Sequence, residues 1–199
     1  MFSYFEKGIT NLIPSKTIDL GQLVKLIKTN PKQSLVNEIR ELRLKGDQTY
    51  KKKKTFLNYI TPNCSVKKRS LKEEEDYTKN FIAPSSYIYF DFDDVVNAQG
   101  FKKYFISKYG HLVSLVCLSS GAGGISVLFK ITNIIDNNNF YDIWEIIKTT
   151  YLKEEQVDIK CKNIGRAMYL PYDTEPFVNY ENEITVDIPL NKEKNTSKK

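Results

Sequence analysis

Two aspartates at alternate positions close an apolar run. Residues 87–95 read YIYFDFDDV, and the aromatic and β-branched character of Tyr87-Ile88-Tyr89-Phe90 is that of a strand. Side chains along a strand alternate between faces. Tyr87, Tyr89, Asp91 and Asp93 therefore share one face, and Ile88, Phe90 and Phe92 the other. Burying the second face would hold both carboxylates rigidly, roughly 7 Å apart at their Cα atoms. Like charges that close raise each other's pKa unless a cation lies between them. The pair asks for a metal, a proton or full exposure to water. Asp94, next along, reads as the cap of the following helix.

Two other stretches carry chemistry that would complement the pair. In Ser119-Ser120-Gly121-Ala122-Gly123-Gly124, successive N–H groups with little side-chain bulk can form a concave anion site, and the serines add hydroxyl donors. In Val157-Asp158-Ile159-Lys160, Asp158 could add a metal ligand, and Arg166 beyond it offers a planar fork for phosphate. Carboxylates, an anion cradle and an arginine together suit Mg²⁺ or Mn²⁺ and a triphosphate, since such hard cations take carboxylate and phosphate oxygens. Each stretch alone has a plainer reading: glycine is what turns require, and Asp158 and Arg166 could be surface charges. The inference rests on their co-occurrence.

The elements that must position these groups follow from periodicity. Asp19 can cap a helix whose apolar residues Leu20, Leu23, Val24 and Ile27 recur at helical spacing, and Asn30-Pro31 breaks it. A second helix fits Ser34 to Lys45, stopped by Gly46. Lys51 to Ile60 has no clear period, and Lys67 to Asn80 is too charged for a core element. From Ser86 the pattern turns to strands: Tyr87 to Asp93, a helix near Gln99 to Tyr109, then Leu112 to Leu118 and Ile125 to Ile131 joined as a hairpin by the glycine turn. A helix over Asn137 to Tyr151 and a short strand at Ala167 to Leu170 complete the order. That order is an α+β arrangement of the split β-α-β type, with an RRM-like antiparallel sheet. The expected organisation is a mainly helical part over 1–80, an RRM-like part over 81–190 and a disordered Lys-rich tail over 191–199.

Composition limits the partners. The 199 residues are 41% hydrophobic and 13% aromatic, which are globular values. Lys and Arg outnumber Asp and Glu by 30 to 24, an excess that suits a polyanion where basic groups cluster. They cluster at Lys51, Lys52, Lys53 and Lys54 and again at Lys67, Lys68 and Arg69. Cys64, Cys117 and Cys161 are widely spaced with no Cys-x-x-Cys pair, so neither a zinc site nor a disulfide framework is expected. No signal peptide or membrane-spanning run is visible, and a cytoplasmic location without membrane attachment is expected. His111, the only histidine, follows Gly110 at a helix end and reads as exposed.

Asp-x-Asp on a strand, a Ser-Gly-x-Gly hairpin and a single Asp ahead of an Arg-containing strand resemble the archaeo-eukaryotic primase superfamily. More narrowly the chain resembles its VirE N-terminal family, primase-like domains found ahead of helicase modules in bacterial mobile elements and phages. The match runs through Asn37-Glu38-Ile39-Arg40, Phe56 to Thr61, YIYFDFDDV, SSGAGGISVLFKI and VDIKCKNIGRAMYLPYD. The resemblance implies a primase-type catalytic domain in which Asp91, Asp93 and Asp158 ligate the metal. Ser120, Gly121 and Gly123 would meet the nucleotide's phosphates with Ser119, and Arg166 would match the basic residue after the third motif. Such primases usually end the second motif in a histidine; this chain has Ile125 and Ser126 there, and Lys130, on the strand face of Ser126, could supply charge instead.

The expected activity is primer synthesis or DNA polymerisation from nucleoside triphosphates on single-stranded DNA, with the two Lys-rich clusters tracking template phosphates and a helicase domain or partner possible. Two alternatives come with it. One is a non-catalytic nucleic-acid or nucleotide-binding module that recruits a helicase. The other starts from YIYFDFDDV alone, which also resembles the first motif of haloacid-dehalogenase-type phosphatases, with Asp91 as nucleophile.

Overall fold

The computed structural model describes residues 1–69, 80–136 and 139–188. Most of the charged stretch Lys67 to Asn80 and the Lys-rich tail over 191–199 lie outside the described residues.

Among the described residues the strands build two four-stranded antiparallel sheets and a two-stranded ribbon. The first sheet runs in the order β2 (Lys16–Ile18), β1 (Phe2–Phe5), β3 (Tyr59–Thr61), β9 (Met168–Tyr169). The second runs β10 (Phe177–Val178), β7 (Leu115–Leu118), β8 (Ile125–Lys130), β6 (Tyr87–Phe92). The ribbon pairs β4 (Cys64–Val66) with β5 (Phe81–Pro84). Five α-helices complete the fold: α1 (Leu20–Lys28), α2 (Gln33–Leu44), α3 (Thr49–Lys54), α4 (Ala98–Tyr109) and α5 (Phe140–Thr150).

Strand β6 obeys the alternation expected of it. Ile88, Phe90 and Phe92 are buried beneath two helices: Phe90 stacks on Trp144 of α5 at 5.0 Å, and Phe92 meets Phe105 of α4 at 5.0 Å. Aromatic contacts of this kind add to burial because ring edges and faces carry opposite partial charge. On the opposite face, Tyr87 meets Phe2 of β1 at 5.2 Å, so that side looks toward the first sheet. Asp91 projects from this side, opposite Ser126 in the β6–β8 ladder.

Asp19 caps α1 by a reciprocal pair: Gln22 N–H donates to its carboxylate at 2.7 Å and Asp19 N–H to the Gln22 amide oxygen at 3.0 Å. The cap of α4 is Asn97, whose side chain accepts from Gly100 N–H at 2.9 Å, and not Asp94. Asp94 instead takes a left-handed φ of 57°, a conformation Asp tolerates better than most residues, and receives Arg43 Nη2 at 2.9 Å.

Two expectations change. The first eighty residues carry α1, α2 and α3 but also β1 to β4, because runs such as FSYF and YIT are too short to show a period. The strand expected at Ala167 to Leu170 forms as β9 but pairs with β3; β10 pairs with β7 in the second sheet. One hydrophobic cluster runs from Phe2 through Phe90 and Trp144 to Val186, with a small satellite of Val36, Ile39 and Leu57 under α2. No helix among the described residues is long and apolar enough to cross a membrane.

Candidate functional site

A cavity opens beside β6 and β8. It is lined by Asp91, Asp93, Tyr89, Ser119, Ser120 and Ser126 from the second sheet and its turn. Ile9, Lys54, Arg69, Arg166, Ala167 and Tyr169 complete the wall. Both carboxylates of YIYFDFDDV thus meet three serines and three cations that lie far apart in the chain.

Asp91 is held by its cross-strand neighbour: Ser126 Oγ donates to its carboxylate at 2.9 Å, and Tyr89 Oη lies 3.3 Å from the same Oγ. Burial raises the Tyr89 phenol well above its usual range, which keeps it protonated and able to donate. The Asp91 carboxyl is pushed up to about 6, first by burial and then by Asp93, against the opposing pull of Lys54 and the hydrogen bonds from Ser126 and Tyr89. The expected conflict between two neighbouring acids is therefore present, and Asp91 bears it.

The glycine turn is built for close approach. Ser119 N–H donates to Gly124 O and Ala122 N–H to Ser119 O, each at 2.9 Å. The left-handed residue is Ala122, at φ 49°; Gly123 and Gly124 are small for want of space. A β-carbon on Gly124 would overlap the Phe92 carbonyl oxygen, and one on Gly123 would overlap the Arg43 guanidinium. Arg43 lies over the turn, held by Asp94. Gly121 and Gly123 are not among the residues lining the cavity, so the anion surface expected of their backbone is partly covered by an arginine. Arg40 braces the same turn from α2, its Nη2 donating to Tyr172 O at 2.6 Å and reaching Ser119 O at 3.4 Å.

Asp158 does not join the other two acids. Its N–H donates to Asp91 O at 2.9 Å, which brings the backbone beside β6. Its carboxylate, however, caps a 3-10 turn over Ile159–Lys162 by accepting from Lys160 N–H at 3.0 Å, and receives Arg166 Nη2 at 3.0 Å. An aspartate two residues ahead of free N–H groups is a ready turn cap, and Asp158 is absent from the cavity lining. Among the described residues no group of three His, Cys, Asp or Glu could hold a metal ion. Asp91 and Asp93 still fit a hard cation of the Mg²⁺ type, which binds through one or two carboxylates plus substrate phosphates and keeps several waters.

The remaining expected residues divide. Lys130 stands opposite Tyr87, four residues and about 13 Å of strand from Ser126, and pairs with Glu183 at 2.9 Å; the shared strand face does not bring it to the cavity. Of the two basic clusters, Lys54 and Arg69 reach the cavity, Lys53 pairs with Glu38 at 2.8 Å, and Lys51, Lys52, Lys67 and Lys68 are exposed. Ile9 lies in no stretch that the sequence singles out; Ala167 and Tyr169 lie in VDIKCKNIGRAMYLPYD without a role of their own, and Tyr89 was legible as a residue on the Asp91 face. His111 is exposed, and Cys64, Cys117 and Cys161 are buried free thiols.

No protein-family model matches this chain, and neither a curated protein nor a solved structure matches it.

Proposed function

We propose that the protein is a primase-type nucleotidyltransferase that joins nucleoside triphosphates on single-stranded DNA with Mg²⁺ or Mn²⁺. The observation that carries this reading is the meeting of Asp91 and Asp93 with Ser119, Ser120, Ser126 and Arg166 around one cavity. Carboxylates for a cation beside hydroxyl and guanidinium donors for phosphate are the parts that phosphoryl-transfer sites use.

Each side chain has a task on this reading. Asp91 and Asp93 hold the divalent ion, which supplies charge neutralisation and an acidified attacking hydroxyl when bound. Ser126, fed by the Tyr89 phenol, fixes the Asp91 carboxylate so that little reorganisation is needed when the cation arrives. Asp158 acts through Arg166, whose guanidinium it orients at the cavity wall. Ser120 offers a hydroxyl donor to the polyphosphate.

The test is incorporation of labelled nucleotide on single-stranded templates with Mg²⁺ or Mn²⁺. Wild type should extend or initiate product, and Asp91→Ala should lose it by at least about a hundredfold, the scale seen when a charge-stabilising group is removed from a site. Comparable synthesis by Asp91→Ala refutes the assignment.

The engagement of Asp158 with Arg166 favours a second reading, a nucleotide-binding module that recruits a helicase without performing transfer. Binding of dATP by the wild-type protein, with no incorporation on any template or metal, would select it.

A further inference from the structure

Sequence pattern groups Lys54 and Arg69 with lysines that follow a template backbone, but the fold separates them from those neighbours. Both line the cavity that holds Asp91 and Asp93. Lys54 closes α3 with its Nζ 5.6 Å from the Tyr169 ring centroid, and it makes no ion pair among the described residues. Arg69 is fixed in place: its Nε donates to Gly165 O at 3.1 Å, its guanidinium lies 5.4 Å from the Tyr59 ring centroid, and its backbone N–H donates to Leu12 O at 2.7 Å. Its Nη1 is nevertheless buried with no hydrogen-bond partner among the described residues.

Ser119, which lines the same cavity, is only 4% exposed, and its Oγ likewise has no hydrogen-bond partner among the described residues. Buried donors are almost always satisfied. Two donors without a partner among the described residues, on side chains that line one cavity with the Lys54 ammonium and two carboxylates, suit an anion that a cation would bridge to the acids. Arginine and lysine suit the two ends of such an anion, one by planar hydrogen bonding and the other as a point charge.

We propose that Lys54, Arg69 and Ser119 form a polyphosphate subsite and are not template contacts; this rests on reading the cavity as a nucleotide site. The ligand class is a linear di- or triphosphate, free or esterified to a nucleoside, oriented with its oxygens toward Asp91 and Asp93 through a divalent ion.

The experiment compares calorimetric titration of the full chain with magnesium tripolyphosphate and magnesium dATP against anisotropy of a fluorescent single-stranded oligonucleotide. Lys54→Ala and Ser119→Ala remove no hydrogen bond among the described residues, so both should fold, and a cooperative thermal transition of each checks this. Each should weaken tripolyphosphate and dATP binding, Lys54→Ala by about tenfold, the size of one charge-assisted hydrogen bond, while leaving oligonucleotide affinity unchanged. Lys51→Ala is the control and should not alter tripolyphosphate binding. Absence of tripolyphosphate binding by wild type, unchanged binding by Lys54→Ala, or a parallel loss of oligonucleotide affinity overturns the subsite. Tripolyphosphate binding that depends on Lys54 in a protein that incorporates no nucleotide supports the subsite and removes the transfer activity instead. Incorporation with an unaltered KM for dATP in Lys54→Ala does the reverse.

Discussion

Asp91 sits where strand geometry, burial and a second acid act on one carboxyl. Its pKa is raised from the usual 3.8 to about 6, with burial the larger cause and Asp93 the second. A carboxyl whose folded pKa is raised binds protons more tightly in the native state than in the unfolded chain. Ionising it therefore lowers stability as pH rises from about 4 to 6, and the loss persists above. Asparagine keeps an acceptor for Ser126 but cannot ionise. In metal-free protein Asp91→Asn should thus be more stable than wild type at pH 8, by on the order of 3 kcal/mol, and equal to it near pH 4. Urea melts at the two pH values check this, and an equal effect at both would mean that charge is not the cause. Added Mg²⁺ should narrow the gap at pH 8, because a cation bound to the ionised wild-type carboxylate stabilises the native state. Ser126 and Tyr89 show how much was legible at this scale: period-2 counting places Tyr89 on the Asp91 face, but only the ladder shows Ser126 directly opposite.

The glycine turn illustrates the same division for an element. A hairpin between Leu118 and Ile125 could be read from two apolar runs around a glycine cluster, and it forms. The left-handed position of this turn is Ala122 and not a glycine. What Gly123 and Gly124 provide is room, and the two differ in what would have to move. Beside Gly124 lies the Phe92 carbonyl, part of the backbone that carries Asp93; beside Gly123 lies the far end of the Arg43 side chain. Gly124→Ala should destabilise by about 1–3 kcal/mol, as overpacking against fixed neighbours does, and should depress activity through Asp93. Gly123→Ala should be milder, with Arg43 displaced from Asp94. Denaturation midpoints that rank the two the other way would reject this account. The capping of α1 by Asp19 was legible because its partner Gln22 is local. The capping of α4 by Asn97 in place of Asp94 was not, because Arg43 arrives from a distant helix.

For the molecule as a whole, the two parts suggested by the change of pattern near Ser86 share their framework. Asn63 accepts from Tyr89 N–H at 2.8 Å, Phe2 packs on Tyr87, and β9 leaves the later part of the chain to extend the sheet of β1 and β3. The hydrophobic cluster is continuous through both. A fragment of residues 81–188 should accordingly show no cooperative unfolding transition by circular dichroism in urea, since it would expose the β6 face that β1 covers; a sharp two-state transition would contradict the shared core. Local pattern determined the existence of β6, β7, β8, α1, α2, α4 and α5, along with the candidacy of Asp91, Asp93 and the serines, because strand alternation, helical spacing and turn chemistry act over a few residues. Only the tertiary structure decided that Lys54 and Arg69 belong to the cavity, that Lys130 does not, and that the Asp158 carboxylate is committed to Arg166. Those outcomes depend on which distant segments meet when the two sheets close on a common core, and no local spacing encodes that meeting.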